Sequence, residues 1–157
     1  MKEAIKESDP IIKGNKFEEV FNSIVCTEPD FTLLKQHARS DVGEIDFFYR
    51  TKCKDHPLWL KCHYLFIECK NWKEIISSEK MNHFITLLQS KNVFRNCCGV
   101  YVTTSSYSPQ AINAYKKAIN EKKLIIVKLG RNDLNKLIDE GFKTYLEDAF
   151  DTLLSKI

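Results

Sequence analysis

The triplet Glu68-Cys69-Lys70 closes an apolar run, Tyr64-Leu65-Phe66-Ile67, and places a carboxylate and an ammonium two residues apart. The run reads as a buried strand. Successive strand side chains alternate faces, so Glu68 and Lys70 share a face at a spacing of about 6–7 Å. Charges in such a position cost stability unless a partner or ligand compensates them. Asp46 stands likewise inside Ile45-Asp46-Phe47-Phe48-Tyr49, a second strand-like run. Two carboxylates meeting at one sheet edge suit a hard divalent cation, and a lysine beside them puts positive charge near a reacting oxygen. That combination points to metal-assisted hydrolysis of a phosphodiester. Its competitor is an ordinary surface ion pair at a strand end.

The elements that must position these residues can be followed along the chain. Residues 1–13 read as a polar arm, with a helix beginning after Gly14 and Asn15. Phe17, Val20, Phe21, Ile24 and Val25 recur at helical spacing and form its core-facing stripe. Phe31 to Gln36 is expected as an edge strand, Ser40-Asp41-Val42-Gly43 as a turn, and Ile45 to Arg50 as the second strand. A polar connection over 51–61 leads to the third strand, His63 to Lys70. A helix from about Ser78 to Lys91 turns Met81, Phe84, Ile85 and Leu88 inward, and Gly99 to Thr103 follows as a strand.

Ser108-Pro109 is a cap serine followed by proline at the first helical position. The helix it opens buries Ala111, Ile112, Tyr115, Ala118 and Ile119. Leu124 to Lys128 is a fifth strand and Asn132 to Glu140 a short helix, followed by an amphipathic helix from Phe142 to Leu154. Tight turns among the early strands imply antiparallel pairing, and later strand-helix-strand units imply parallel pairing. The expected fold is α/β: a mixed sheet of about five strands flanked by helices on both faces, in one domain over 14–157.

With 157 residues, 43% of them hydrophobic and 29% charged, the chain is long enough and apolar enough for one real core. Its net charge of +3 neither demands nor excludes a polyanionic partner. No run approaches the ~18 apolar residues of a membrane span, and Met1-Lys2-Glu3-Ala4 does not open a signal peptide. A cytoplasmic location with all six cysteines reduced is the expectation.

The element order, the acid on the second strand and Glu-x-Lys on the third together resemble the PD-(D/E)xK nuclease superfamily, in particular its Mrr-like restriction endonuclease branch. Gly14-Asn15-Lys16-Phe17-Glu18 is similar to that branch's helix opening. Asp41-Val42-Gly43-Glu44-Ile45-Asp46 is similar to its turn and second strand, and Ile67-Glu68-Cys69-Lys70-Asn71-Trp72 to its active-site strand. Gly99 through Ser108 with Ala111, then Leu124-Ile125-Ile126-Val127 and Leu134-Asn135-Lys136-Leu137, resemble its later elements. The resemblance spans about residues 14–138.

It implies that Asp46 and Glu68 bind Mg²⁺, for which Mn²⁺ can substitute, with the Cys69 backbone carbonyl as a further ligand. It also implies that Lys70 positions or activates the attacking water and that Glu18 joins the site. Gln89 lacks the Gln-x-x-x-Tyr context of related exonucleases, so the implied activity is endonucleolytic. DNA is the favoured substrate, with RNA left open, in restriction, defence or repair. One centre per chain implies a homodimer or a partner protein supplying a second. The alternative is a catalytically silent or partner-activated nucleic-acid-binding subunit.

Other residues carry weaker signals. Cys53, His56, Cys62 and His63 can be drawn as a zinc knot, yet adjacent strand residues Cys62 and His63 point to opposite faces. Trp59 and Trp72 are candidates for base stacking or for packing, and Cys97-Cys98 for small core residues. Thr103, Thr104, Ser105 and Ser106 precede a helix start, where hydroxyls suit either phosphate or capping. Lys13, Lys16, Lys73, Lys80, Lys91 and Arg95 could follow a phosphate backbone or form a solvated face.

Overall fold

Five runs rich in β-branched and aromatic residues pair into one sheet whose spatial order is the order of the chain, β1-β2-β3-β4-β5. In the computed structural model, which describes residues 9–71, 73–91 and 96–155, the elements run α1 (Pro10–Cys26), β1 (Phe31–Ser40), β2 (Gly43–Thr51), α2 (Pro57–Lys61), β3 (Tyr64–Lys70), α3 (Ser78–Lys91), β4 (Cys97–Thr103), α4 (Pro109–Asn120), β5 (Ile125–Leu129), α5 (Arg131–Glu140) and α6 (Phe142–Leu154). β1, β2 and β3 pair antiparallel, and β3, β4 and β5 pair parallel. The central strand β3 is therefore where the sheet changes sense, as the connection lengths imply.

Alternation along the strands divides the core into two clusters. Leu65, Ile67 and Cys69 join Val100, Val102 and Leu129 in one, against Phe17 and Phe21 of α1, Trp59 of α2, Leu134 and Leu137 of α5, and Phe142, Leu146 and Phe150 of α6. Phe66, Tyr101 and Ile126 join the other, against Met81, Phe84 and Leu88 of α3 and Ala111 and Tyr115 of α4. No helix among the described residues is long and apolar enough to cross a membrane.

Three expectations need correction. First, α1 begins at Pro10, inside the expected arm. Asp9 caps it, its Oδ1 accepting from the amides of Ile11 at 2.9 Å and Ile12 at 3.1 Å, so Asp9-Pro10 is the same cap pair as Ser108-Pro109. Gly14 lies within the helix, where it costs only about 1 kcal/mol of propensity. Second, the connection after β2 holds the short helix α2. It buries Trp59 edge-on against Phe31, the indole N–H donating to Glu147, so Trp59 packs and does not stack on a base.

Third, Cys62 and Cys98 are joined as a disulfide, their Cα atoms 5.4 Å apart. Cys98 stands opposite Leu65 in the β3–β4 register, and the chain leading into β3 brings Cys62 beside it, which no sequence spacing announces. Of the residues a zinc knot would use, Cys62 is thus committed to sulfur, and His56 caps α2 through Nδ1. Along α6, Phe142, Leu146 and Phe150 are buried and Leu154 is exposed. Trp72 and Arg95, and the side chain of Lys13, lie outside the described residues.

β4 and α3 approach most closely at Gly99. A Cβ there would meet Leu88 Cδ2 at 2.8 Å and Phe84 Cε1 at 2.9 Å. Gly99→Ala is therefore expected to destabilise the fold by about 1–3 kcal/mol, read as a lower melting temperature. An unchanged melting temperature would show that α3 can move away from the sheet.

Candidate functional site

The β2–β3 ladder runs from Arg50↔Tyr64 to Phe47↔Ile67 and stops there. One residue further the strands part, and the Asp46 side chain takes over from the backbone. Its Oδ2 accepts from the Cys69 amide at 2.6 Å, a charge-assisted bond in a buried setting. Asp46 and Glu68 thereby face one another across the opening, each only a few per cent exposed. Lys70 reaches back along β3, its Nζ 2.5 Å from Glu68 Oε1. Glu68 Oε2 is buried without a hydrogen-bond partner, and so is the hydroxyl of Tyr101, the register partner of Glu68 on β4.

The first helix adds a third acid. α1 is pinned to β2 by Phe17 and Phe21 in the core and by the Tyr49 hydroxyl, which donates to Asn22 Oδ1. Glu18, on the turn before Asn22, is consequently held at the edge of the opening. His37 of β1 stands on its far side, with Nε2 4.0 Å from Glu18 Oε2 and Nδ1 3.1 Å from Glu44 Oε1. Its φ of +47° is left-handed, a conformation histidine enters more readily than most residues. Glu18, His37 and Asp46 each present one ligand atom, all within 4.8 Å of one another.

Burial raises the proton affinity of Asp46, Glu68 and Glu18. Desolvation, then the neighbouring charge of Asp46, pushes both Glu68 and Glu18 up to about 7. Asp46 is also raised by desolvation, against the pull of Lys70 and the Cys69 amide. Lys70 loses solvation too, but Glu68 and Asp46 more than offset that and hold it charged, above the ordinary lysine range. Three carboxyls around one ammonium leave an excess of negative charge in a dry place.

The restriction endonuclease family Mrr_cat matches residues 11–138. The chain belongs to that family. No curated protein sequence matches it significantly. Among solved structures it is similar to an EndoMS–dsDNA complex, at 14% identity and TM-score 0.46, over 73% of this chain and 41% of that one. It is similar to a repair endonuclease from Pyrococcus abyssi at 17% and 0.48, over 80% and 48%. It is also similar to Pyrococcus furiosus SfsA in complex with Ca²⁺ at 14% and 0.42, over 78% and 58%. The chain thus spans about half the length of these structures.

In this Mrr-type domain the donor set suits a hard divalent cation. The oxygens of Asp46 and Glu68 are buried, crowded and in part unpartnered, which a dication would relieve and which water or an apolar side chain would not. Asp46, Glu68, Lys70 and Glu18, separated by up to 52 residues of chain, come together at the parting of β2 and β3. The Cys69 amide is engaged by Asp46, and its carbonyl lies between Glu68 and Lys70 in the chain. Gln89 is drawn away, accepting from Lys122 Nζ at 3.1 Å.

The residue that sequence reasoning missed is His37. The signal was present: counting outward from the Ser40↔Gly43 pair places it opposite Asp46, between Gln36↔Phe47 and Ala38↔Ile45.

The raised acids give a pH prediction. Between the ordinary glutamate value of 4.5 and about 7, Glu18 and Glu68 bind more protons in the native chain than in the unfolded one. Their stabilisation is present at low pH and is lost as pH rises through 7. In chelator, the melting temperature should fall between about pH 5 and about pH 8, and Glu68→Gln should flatten that slope. Mn²⁺ at the higher pH should restore the wild type and leave Glu68→Gln unchanged. A wild-type slope identical to that of Glu68→Gln would mean that the crowding is absent in solution.

Proposed function

We propose that this chain is a Mg²⁺-dependent endodeoxyribonuclease, with Mn²⁺ able to substitute, acting in restriction, defence or repair. The observation that carries this reading is Glu68 Oε2, a buried and unpartnered carboxylate oxygen beside Asp46 and Lys70. Asp46, Glu68 and the Cys69 carbonyl would hold the cation, which when bound supplies Lewis-acid polarisation of a phosphate oxygen and lowers the pKa of a water. Family membership favours the same chemistry.

The remaining work falls to the chain's own side chains. Lys70, kept charged by Glu68 and Asp46, stabilises negative charge as it builds on the attacking oxygen and around phosphorus. Asp46 does two things at once, since its second oxygen stays available while Oδ2 ties β2 to the Cys69 amide. Glu18 offers an acceptor to a water on the Asp46 side, and His37 fixes the direction of Glu18. β3 and β2 are sheet strands locked by core packing on both faces, so the carboxylates meet the substrate pre-positioned. Cutting both strands of a duplex needs two such centres, so the working form is a homodimer or a complex with a partner protein that supplies the second.

Four variants separate these roles. Asp46→Ala and Glu68→Ala should lose cleavage of labelled duplex DNA by at least about 100-fold and lose Mn²⁺ binding by calorimetry together. Lys70→Ala should cut about 100–1,000-fold more slowly while still binding Mn²⁺, because removing a nearby positive charge favours the cation. His37→Ala should slow cleavage less, by about tenfold, as expected of a residue acting through Glu18. Circular dichroism controls for folding. Wild-type cutting by Lys70→Ala, or retained metal and activity in Glu68→Ala, would remove this centre from the mechanism.

A further inference from the structure

A cleft of about 740 Å³ opens at the C-terminal ends of β4 and β5. Its walls carry Lys73, Ser105, Ser106, Lys128, Arg131 and Asp133. Thr104 also lines it and joins it to the candidate centre: its amide donates to the Lys70 carbonyl at 3.2 Å, and its hydroxyl donates to Asn71 Oδ1 at 2.8 Å. The cleft thus starts one residue beyond the Lys70↔Thr103 pair. Two strand spacings of ~4.8 Å separate β3 from β5, about 10 Å in all. At ~3.4 Å of rise per charge along one nucleic-acid strand, that distance is two or three nucleotides.

The charges in this cleft have no internal explanation. Arg39, Lys70 and Lys143 each lie against a carboxylate, whereas Lys73, Lys128 and Arg131 form no ion pair among the described residues. Lys128 is only half-exposed, and its ammonium rests 5.2 Å above the Tyr107 ring and 5.8 Å above that of Tyr115. Those rings orient the cation without neutralising it. Tyr107 is itself fixed, its hydroxyl shared between the carbonyls of Tyr101 and Leu129 at 2.9 Å each. Asp133 is the one acid among the described lining residues. Both its oxygens are engaged, Oδ2 by the Gly130 amide and Oδ1 by the Tyr145 hydroxyl, each at 2.7 Å. Ser105 Oγ donates to the Lys73 carbonyl at 3.5 Å and ties that wall together. An entering anion therefore meets three cations and the Ser106 hydroxyl, and cations with a hydroxyl are a donor set that holds phosphate.

We propose that this cleft is a phosphate subsite for the strand being cut, holding a phosphodiester two or three nucleotides from the scissile one. The assignment rests on the nuclease reading above and gives it a direction: the substrate strand runs across the C-terminal ends of β3, β4 and β5. Lys73 and Arg131, both exposed, grip the backbone, and the half-buried Lys128 adds its charge from between them and the tyrosine rings.

The test pairs the charge-reversal variant Lys73→Glu/Arg131→Glu with Lys52→Glu/Lys54→Glu, which changes net charge equally at the other end of β2. Binding of a labelled DNA strand is followed by anisotropy in chelator, where nothing is cut, over about 50–200 mM salt. The cleft variant should bind at least about tenfold more weakly, with a log–log salt slope shallower by about 0.7 for each lost contact. The distal variant should keep the wild-type slope. In Mn²⁺ the cleft variant should raise KM and spare kcat. Were it to misfold, Lys73→Gln/Arg131→Gln replaces it with the same expectation.

Equal slopes in the cleft and distal variants would overturn the subsite, and wild-type cutting in that case would leave the nuclease reading intact. Wild-type protein that binds DNA with the full slope, loses it in the cleft variant and cuts nothing in Mg²⁺ or Mn²⁺ would overturn the nuclease reading and retain the subsite. Inorganic phosphate that binds the wild type and not the cleft variant, with DNA binding unaltered, would make the cleft a free-anion site and also overturn the proposal.

Discussion

β2 and β3 stop pairing at Phe47 and Ile67, and the Asp46 carboxylate then takes the Cys69 amide that the ladder leaves behind. This substitution of a side chain for a strand holds the opening in shape. It turns Asp46 towards Glu68, sets Lys70 at the lip and leaves a carboxylate oxygen in the interior with nothing to bind. A buried, unmatched acid is costly, and the fold tolerates it because the strands on either side are anchored elsewhere. Phe47 and Tyr49 enter the core with Phe17 and Phe21, and Ile67 packs with Val100 and Val102. The apolar layers hold three charged groups at distances water alone would not maintain.

The position of this opening follows from topology. β3 is antiparallel to β2 and parallel to β4, so the site lies where the sheet changes sense. On the antiparallel side, a hairpin returns β1 close enough for His37 to reach Glu18. On the parallel side, β3, β4 and β5 all end at the same edge, and the segments that follow them gather into a basic cleft. Crevices outside the carboxyl ends of parallel strands are the usual ligand positions in open α/β sheets, because the following loops and helix starts converge there. Here one side of β3 carries an acidic cluster and the other a cationic wall.

Much of this was legible in the amino-acid sequence, and the reason is locality. A strand's period of two, a helix's apolar stripe and a cap pair such as Ser108-Pro109 depend on residues within a few positions of one another. Acids and a lysine inside apolar strand runs are conspicuous for the same reason: Asp46, Glu68 and Lys70 violate the pattern around them. Even Asp9-Pro10 was readable as a cap, and only the weight given to Gly14 hid it. His37 opposite Asp46 was likewise implied by the hairpin register, though not by residue type.

What the chain alone determined, then, were the element types, the mixed sense of the sheet and the chemistry that its misplaced charges could support. Tertiary structure decided which of those charges meet and in what surroundings. The end of the β2–β3 ladder, the Cys62–Cys98 link, the burial of Trp59 and the gathering of Lys73, Lys128 and Arg131 in one cleft all depend on contacts between residues far apart in sequence. The rise of Glu18 and Glu68 to about 7 belongs to the same class, since it reflects water excluded by the whole fold. Desolvation and mutual distance are properties of the packed molecule, and no local pattern encodes them.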